Sequence, residues 1–363
     1  TTSSAEYEID TVLPDATITI ADTALKAGET TTVTISFTEV VSGFANADLT
    51  VQNGTLSTVA TADGGRTYTA TLTPSTTTDD TTNVITLANT GFTDPAGNAG
   101  TGTTTSANYA VGTVVPTVAS KISMDDTALK VGDTATVTVV FSEAVTGLTV
   151  GDFDVANGSL SGLTTSNNIT WTATYTPTAN ITDTSNVVSL PAGTVIDSDG
   201  NEVTTASNNT SANFTIDTAA PTATIAFADS ELKAGETSLV TITFSETLTN
   251  GSFTNADLTI ENGTLSAVAT TNSGASTDDK VFTATFTPTA NLEDLSNVIT
   301  LANSGVTDVA TNAGVGTTSS AEYEIDTVLP DATITIADTA LKAGETTTVT
   351  ISFTEVVSGF ANA

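Results

Sequence analysis

The sequence lacks cysteine and histidine and contains few basic residues. Among its 363 residues, 7 Lys plus Arg stand against 41 Asp plus Glu. Without Cys there are no disulfides, iron–sulfur clusters or thiol nucleophiles. Without His there is no imidazole base, no Ser–His–Asp triad and no ordinary zinc or copper site. A formal charge of −34 disfavours nucleic acid and anionic membrane surfaces as partners, and favours a divalent cation bound by oxygen ligands.

The rest of the composition is typical of a folded chain. Apolar residues make up 38% and charged residues only 13%, so the acidity reflects missing bases rather than abundant acids. A disordered acidic segment would be poorer in Val, Ile, Leu and Phe. No apolar run approaches the roughly 18 residues of a membrane helix, so we expect no membrane insertion in this segment.

The chain consists of repeated units, and residues 1–47 recur without a change at 317–363. Each unit begins near a linker proline and continues with a TALKAGET-like segment, an FTE or FSE box and an NGTLS or NGSLS turn. The linker prolines are Pro14, Pro116, Pro221 and Pro330. We divide the chain into the last strand of a preceding domain (1–11), repeat 1 (12–112), repeat 2 (113–216), repeat 3 (217–325) and the truncated start of repeat 4 (326–363). The sequence is therefore expected to be a window on a longer array.

Alternation of apolar and polar residues predicts β-strands throughout. In TTTVTISF at 30–37, Val33, Ile35 and Phe37 share one face, and helix-period segments are absent. The strands predicted for repeat 1 are 15–21, 31–37, 48–53, 55–61, 67–73, 83–88 and 104–111. Seven short antiparallel strands in about 100 residues predict an all-β chain of tandem immunoglobulin-like sandwiches. An odd strand number brings the chain in at one pole and out at the other, so we expect the units to stack end to end.

The same topology predicts where acidic residues meet. The loop after the second strand, the loop before the last strand and the incoming linker should share the N-terminal pole of each unit. Carboxylate and amide oxygens in these flexible segments suit calcium better than magnesium, because magnesium requires a stricter octahedral geometry. The candidate calcium ligands are Asp10, Glu39, Asp94 and Asn98 for repeat 1; Glu143, Asp197, Asp199 and Asn201 for repeat 2; Asp217, Glu246, Asp308 and Asn312 for repeat 3; and Asp326 and Glu355 for repeat 4.

One linker departs from this pattern. Gly112 stands where Asp10, Asp217 and Asp326 stand elsewhere. We expect the junction before Pro116 to bind calcium less tightly or to take a ligand from Asp199. The competing interpretation is that all these acids are solvated surface charges that keep a long array soluble.

Taken together, the DTxxP linker, the LKAGET segment, the FSE or FTE box, the NGTLS turn, the TATxTP strand and the DxAGN-type loop resemble bacterial Ig-like repeats. Such repeats form the extender region of long RTX-type and biofilm-associated surface adhesins. The resemblance covers the whole chain and implies an immunoglobulin-like fold, export to the cell surface, calcium at domain junctions and a spacer role without enzymatic activity.

Two rival functions remain open at this stage. In a self-assembling extracellular filament or sheath, an end strand of one chain would complete the open sandwich of another copy. Concentration-dependent polymerisation would favour that filament, whereas a persistent monomer would favour the stalk. A direct carbohydrate- or ice-binding module is the other rival, which glycan arrays or thermal hysteresis would reveal. For the stalk, the partners are neighbouring repeats of the same chain.

Overall fold

Strands whose residues alternate between buried and exposed form the main sheets of the three complete repeats. In the strand Thr31–Phe37, Val33, Ile35 and Phe37 are buried, while the Thr and Ser side chains between them are exposed or half-buried. Thr and Val favour such strands because their β-branched side chains suit a half-buried pleated surface. The prediction of an all-β chain of tandem immunoglobulin-like domains is confirmed.

The computed structural model describes residues 3–204, 206–270 and 280–361. Contacts along the chain divide it into two compact units. The first comprises Thr1–Thr127, Thr134–Thr178 and Thr184–Thr215, and the second comprises Ala128–Asp133, Ala179–Asp183 and Ile216–Ala363. Repeat 1 and most of repeat 2 thus belong to the first unit, and repeats 3 and 4 belong to the second.

Repeat 1 folds into three small sheets. Its strands are β1 (Ala16–Ile20), β2 (Ala24–Lys26), β3 (Thr31–Phe37), β4 (Leu49–Val51), β5 (Gly54–Leu56), β6 (Ala60–Thr61), β7 (Thr67–Pro74), β8 (Asp79–Asn83), β9 (Ile85–Ala88), β10 (Thr103–Thr105) and β11 (Tyr109–Gly112), with 3-10 turns at Asn46–Asp48 and Asn89–Gly91. The sheet orders are β1-β3-β7-β5 with β6 on β7, β10-β9-β4, and β2-β11-β8. Because β11 runs parallel to β2, the sandwich is not purely antiparallel.

The single last strand predicted over 104–111 is divided in two. β10 pairs with β9, whereas β11 pairs with β2 and β8 in a different sheet. At the crossing, the Ser106 N–H donates to the Ile85 carbonyl at 2.9 Å, and the Ile85 N–H donates to Ser106 Oγ at 3.0 Å. The break was not predicted from the sequence, because apolar and polar residues alternate in both halves.

Repeat 2 keeps the main sheet of repeat 1. Its strands are β12 (Val118–Met124), β13 (Ala128–Lys130), β14 (Ala135–Phe141), β15 (Asp154–Val155), β16 (Gly158–Thr165), β17 (Thr170–Pro177), β18 (Thr182–Asn186), β19 (Val188–Ser189) and β20 (Phe214–Asp217), with 3-10 turns at Val150–Asp152 and Ser207–Asn209. Within the first unit, one sheet has the order β12-β14-β17-β16 and β15 pairs with β19.

Repeat 3 reproduces the three sheets of repeat 1, and repeat 4 is a hairpin. The strands are β21 (Ala223–Phe227), β22 (Glu231–Lys233), β23 (Ser238–Phe244), β24 (Leu258–Ile260), β25 (Gly263–Leu265), β26 (Ala269–Thr270), β27 (Val281–Pro288), β28 (Glu293–Asn297), β29 (Ile299–Ala302), β30 (Thr317–Ser319), β31 (Tyr323–Asp326), β32 (Ala332–Ile336) and β33 (Val349–Phe353), with 3-10 turns at Asn255–Asp257 and Asn303–Gly305. The sheet orders are β21-β23-β27-β25 with β26 on β27, β24-β29-β30, β22-β31-β28 and β32-β33. In the described part of the chain, no helix is long and apolar enough to cross a membrane.

An aromatic cluster lies beneath the N-terminal pole of repeats 1 and 3. Phe37 contacts Phe44 and Phe92 edge-on, at ring-centroid distances of 5.2 and 4.7 Å. In repeat 3, Phe244 contacts Phe253 in the same way at 5.1 Å. These rings anchor the end of the strand. The acidic residue of the FTE or FSE box follows two positions after the Phe that ends this strand.

Residues 3–11 form no strand in the described chain, and their assignment to the last strand of a preceding domain stays a prediction. The same sequence forms β31 in repeat 3, where it is held between β22 and β28. Tyr323 is fully buried there, whereas its counterpart Tyr7 is 79% exposed. Residues 7–10 pair with no strand of the described chain, so the apolar side chains of Tyr7 and Ile9 remain open to water.

Repeat 4 shows the same effect, as expected for a truncated sandwich. Ile35 in β3 is fully buried, but Ile351, its counterpart in β33, is 37% exposed. Leu341 is 48% exposed, although its counterpart Leu25 is 2% exposed in β2. The strands that cover these residues in repeat 1 come from the segment 49–112, and the hairpin has no equivalent among the described residues.

This pair of contexts gives a matched test of core burial. We expect Ile35→Ala to lower the free energy of unfolding of repeat 1 by about 2–5 kcal/mol, because it leaves a cavity in a closed core. Ile351→Ala removes the same atoms from the same local sequence and should cost far less. Urea unfolding followed by amide exchange in each repeat measures both; equal costs would contradict the difference in burial.

Candidate cation sites at the repeat junctions

Three acidic side chains converge at the N-terminal pole of repeat 1. One carboxylate oxygen from each of Asp10, Glu39 and Asp94 lies within 4.8 Å of the other two. Asp94 is 2% exposed, and Asp10 and Glu39 are half-buried. Glu39 follows the end of β3, Asp94 begins the loop before β10, and Asp10 lies on the linker. The structure therefore brings together acids from three distant segments, as the topology predicted.

Space for a hydrated ion adjoins this cluster. An open cavity of about 460 Å³ lies at the pole, lined by Glu8, Asp10, Glu39, Val40, Pro95 and Ala96. A bound water occupies about 30 Å³, so the cavity has room for an ion together with several waters.

Asp94 is held by its own loop. The Asn98 N–H donates to Asp94 Oδ1 at 2.8 Å and the Asn98 amide donates to Oδ2 at 2.7 Å. Burial acts to raise the pKa of Asp94, but these two hydrogen bonds and those from Gly97 and Ala96 outweigh it and lower that pKa. Asn98 Nδ2 also donates to the Asp10 carbonyl at 3.1 Å, which ties the linker to the loop.

Glu39 is destabilised in its charged form. Burial first, then the carboxylates of Asp10 and Asp94, raise the pKa of Glu39, while Arg66 opposes them. Glu39 Oε1 is buried and accepts no hydrogen bond from the described residues. Glu355 Oε1 is likewise buried and unpartnered in the repeat 4 hairpin, so the bend after the FTE box produces this burial by itself.

Repeat 3 reproduces the cluster. One carboxylate oxygen from each of Asp217, Glu246 and Asp308 lies within 4.8 Å of the other two, and Asp308 is fully buried. Asn312 donates to Asp308 Oδ2 at 2.8 Å and to the Asp217 carbonyl at 2.9 Å. Burial, followed by Asp308 and Asp217, raises the pKa of Glu246 to about 7, with Lys280 opposing.

Repeat 2 arranges its acids differently. Glu143, Asp197 and Asp199 do not form a group as close as the other two within the described residues. A Cβ built on Gly112 would lie 2.4 Å from Asp199 Cγ, so the Asp199 carboxylate lies directly against the linker position that carries Asp10 or Asp217 elsewhere. Asp199 takes the place of Ala96 and Ala310 in the loop. Compared with repeats 1 and 3, repeat 2 therefore lacks the carboxylate in the linker and has an additional carboxylate in the facing loop.

The acids of repeat 2 also face an acid of repeat 1. Burial raises the pKa of Glu143, and the carboxylates of Asp197, Asp79 and Asp199 raise it further. Burial, Asp197 and Asp79 raise the pKa of Asp199. Asp79 lies at the start of β8 and accepts a hydrogen bond from the Val114 N–H at 3.2 Å. Sequence reasoning missed Asp79 as a contributor to this junction.

In repeat 4, the structure does not bring the two nominated residues into a group of three acids. Asp326 is exposed at the end of β31, and Glu355 is half-buried after β33. The loop equivalent to 94–98 is not part of the printed sequence.

Two further residues missed by the sequence reasoning are basic. Arg66 lies beside Glu39, and Lys280 lies beside Glu246. Both occupy one structural position, since the carbonyl of each accepts the N–H of Phe37 or Phe244. Ile169 fills that position in repeat 2. Because the chain has so few basic residues, the occurrence of two at equivalent positions could have indicated that each lies near an acidic residue.

The bacterial Ig-like domain family matches the chain at residues 10–111, 112–216, 217–325 and 326–363, and the chain belongs to that family. No curated protein matches the sequence. The boundaries of the repeats deduced from the sequence stay a prediction.

Several solved structures resemble the chain in fold. FdeC, described as a broadly conserved Escherichia coli adhesin, is 13% identical and matches with a TM-score of 0.32 over 86% of this chain and 96% of its own. The titin domains I67–I69 are 9% identical, with a TM-score of 0.40 over 87% and 98%. The surface layer protein SbsC, domains 4–9, is 13% identical, with a TM-score of 0.19 over 89% and 49%.

The raised pKa of Glu246 predicts a pH dependence in the absence of metal. Its folded pKa of about 7 exceeds the ordinary 4.5, so the folded state binds more protons in between. Its contribution to stability is therefore present below about pH 4.5 and is lost as the pH rises towards 7. Melting temperature in chelator should fall over this interval, and Glu246→Gln should flatten the fall. An unchanged slope in the variant would contradict the assignment.

Proposed function

We propose that the chain is a structural extender segment of a secreted bacterial surface adhesin, with calcium bound at its repeat junctions. The observation that carries the proposal is the equivalent convergence of three acids at two junctions, Asp10–Glu39–Asp94 and Asp217–Glu246–Asp308. Membership of the bacterial Ig-like family supports the extender role. The proposed site of action is the cell surface, in adhesion or biofilm formation, and the proposed role is not enzymatic.

The donor chemistry fits calcium. Calcium takes six to eight oxygen ligands in flexible geometry, and bound water fills positions that the protein leaves open. Each cluster offers three carboxylates, and the adjoining cavity in repeat 1 leaves room for waters. A divalent cation would remove the mutual repulsion that raises the pKa of Glu39 and Glu246. Arg66 and Lys280 supply a partial substitute for such an ion and are expected to weaken its binding.

Two of the three Asn residues nominated as ligands already use their side-chain oxygen in another contact. Asn201 Oδ1 already accepts the Ala27 N–H, and Asn312 Oδ1 accepts the Val131 N–H. We therefore assign the primary ligand role to the carboxylates and place Asn201 and Asn312 behind them, where they orient Asp197 and Asp308. Asn98 orients Asp94 in the same way and stays a candidate ligand through its Oδ1.

Calcium would act on the linker as well as on the domain. Asp10 and Asp217 belong to linkers, whereas the other two acids of each cluster belong to the following repeat. An ion bound by all three would hold a linker against the repeat that follows it. Weak extracellular calcium modules fill at about 10⁻⁴–10⁻³ M, which suits a surface protein.

Calcium titration of the full chain tests the proposal. Glu246→Gln should remove the binding heat of the repeat 3 site and lower the calcium-induced rise in melting temperature, since it deletes one of three carboxylates. Glu322→Gln changes the same charge at an exposed site and is the matched control. Absence of heat with the unmodified chain, together with an unchanged melting temperature and scattering dimension in chelator, would refute the calcium role.

The exchanged carboxylate of repeat 2 offers a second test. Gly112→Asp should destabilise the junction and weaken calcium binding there, because its side chain meets Asp199. Adding Asp199→Ala recreates the arrangement of repeats 1 and 3, so the double variant should recover stability and bind calcium at least as tightly as the parent. If the double variant is no better than Gly112→Asp, residue 112 and Asp199 do not share one position.

A further inference from the structure

Each repeat contains an LKAGE-type turn in which one backbone N–H is not used by the turn itself. In the LKAGE segment, the Lys26 N–H donates to Glu29 Oε2 at 3.1 Å, and the Glu29 N–H donates to the Lys26 carbonyl at 3.1 Å. Gly28 has φ +80°, which matches the third position of a type II turn. The same pair of hydrogen bonds recurs in the other copies, at Lys130 with Asp133, Lys233 with Glu236 and Lys342 with Glu345. The acidic residue therefore stabilises the turn. The N–H of the second turn residue, Ala27 in repeat 1, takes no part in these two hydrogen bonds and points away from the turn.

A second element presents a fixed acceptor. In the loop 197–201, Asn201 N–H donates to Asp197 Oδ1 at 2.9 Å, and Asn201 Nδ2 donates to Asp197 Oδ2 at 2.8 Å. Nδ2 also donates to the carbonyls of Gly112 and Val114, at 3.0 and 3.1 Å. These bonds orient an amide that is only 4% exposed, and they leave its Oδ1 facing outward.

The two elements meet at both junctions between complete repeats. The Ala27 N–H of repeat 1 donates to Asn201 Oδ1 of repeat 2 at 2.8 Å. The Val131 N–H of repeat 2 donates to Asn312 Oδ1 of repeat 3, also at 2.8 Å. At the second junction, Lys130 Nζ adds a hydrogen bond to Thr311 Oγ1 at 2.8 Å. The contact thus survives the change from Ala to Val in the turn and from Gly to Thr in the loop.

We propose that the LKxG(E/D) turn of each repeat and the DxxxN loop of the next form a latch that holds consecutive repeats in register without a cation. The Asn side chain joins three parts: the turn of the preceding repeat through Oδ1, the linker carbonyl through Nδ2, and its own loop through Asp. Every hydrogen-bonding group in it is satisfied by protein. Removing calcium should therefore loosen the acids of the junction and leave the latch closed.

The latch does not depend on the calcium proposal. Its donors are backbone amides, its acceptor is a neutral amide oxygen, and repeat 2 forms it although its acids are the ones that do not cluster closely. Failure of calcium to bind would leave the latch intact, and failure of the latch would leave the carboxylate clusters in place.

Amide exchange in chelator tests the contact directly. The Ala27 amide should be protected in the parent chain, and Asn201→Ala should raise its exchange rate on the order of tenfold, the value of one lost hydrogen bond. Asn98→Ala is the matched control, because Asn98 makes the same bonds to its loop and linker but accepts no N–H from a preceding repeat among the described residues. Equal protection of Ala27 in the parent chain and in Asn201→Ala would overturn the proposal.

Spin-label distances report on orientation. The chain has no Cys, so Thr17→Cys and Ser120→Cys, both at exposed strand positions, label repeats 1 and 2 uniquely. In chelator the parent should give a narrow distance distribution and Asn201→Ala a broad one. Ala27→Pro removes the donor while suiting the second position of a type II turn, so it tests the latch even if Asn201→Ala unfolds its loop. A parent distribution as broad as that of both variants would refute the latch.

Discussion

Lateral pairing of strands is the interaction on which the rest of this structure depends. A strand with alternating residues buries one face only where the other strands complete the sandwich around it. The duplicated segment shows this directly, because Tyr323 is buried between β22 and β28 while Tyr7, in the same sequence, is exposed. The completed sandwich in turn brings the ends of distant strands to one pole, where residues of the linker, the FTE or FSE box and the loop before the last strands meet.

At that pole two kinds of polar interaction compete. Burial and neighbouring carboxylates raise the pKa of Glu39 and Glu246, and Arg66 and Lys280 oppose this effect. Beside them, each Asp of the DxxxN loop accepts two hydrogen bonds from its Asn. The acids depend on their ionic surroundings, whereas the amide contacts do not. Under the two proposals, a junction that combines both would respond to cations without relying on them for register.

Much of this organisation was predictable from particular residues. Val33, Ile35 and Phe37 predicted β3, and counting strands predicted that Asp10, Glu39 and Asp94 would meet. Gly112 pointed to Asp199, and the structure places that carboxylate against the glycine. The division of the last strand at Ser106 was missed, because local alternation is the same in both sheets. The partners of Asn201 and Asn312 were missed because they are backbone amides, and a backbone amide has no signature in sequence.

The sequence by itself determined the strand faces, the repeat unit and the residue types that gather at each junction, since side-chain polarity and period are local properties. Only the tertiary structure decided whether the residues YEID form a strand, which N–H groups the Asn201 and Asn312 side-chain oxygens accept, and which acids lie close enough together to bind one ion. Those outcomes depend on partners up to 181 residues away, as for Val131 and Asn312. Identical segments therefore differ in structure because their neighbours differ.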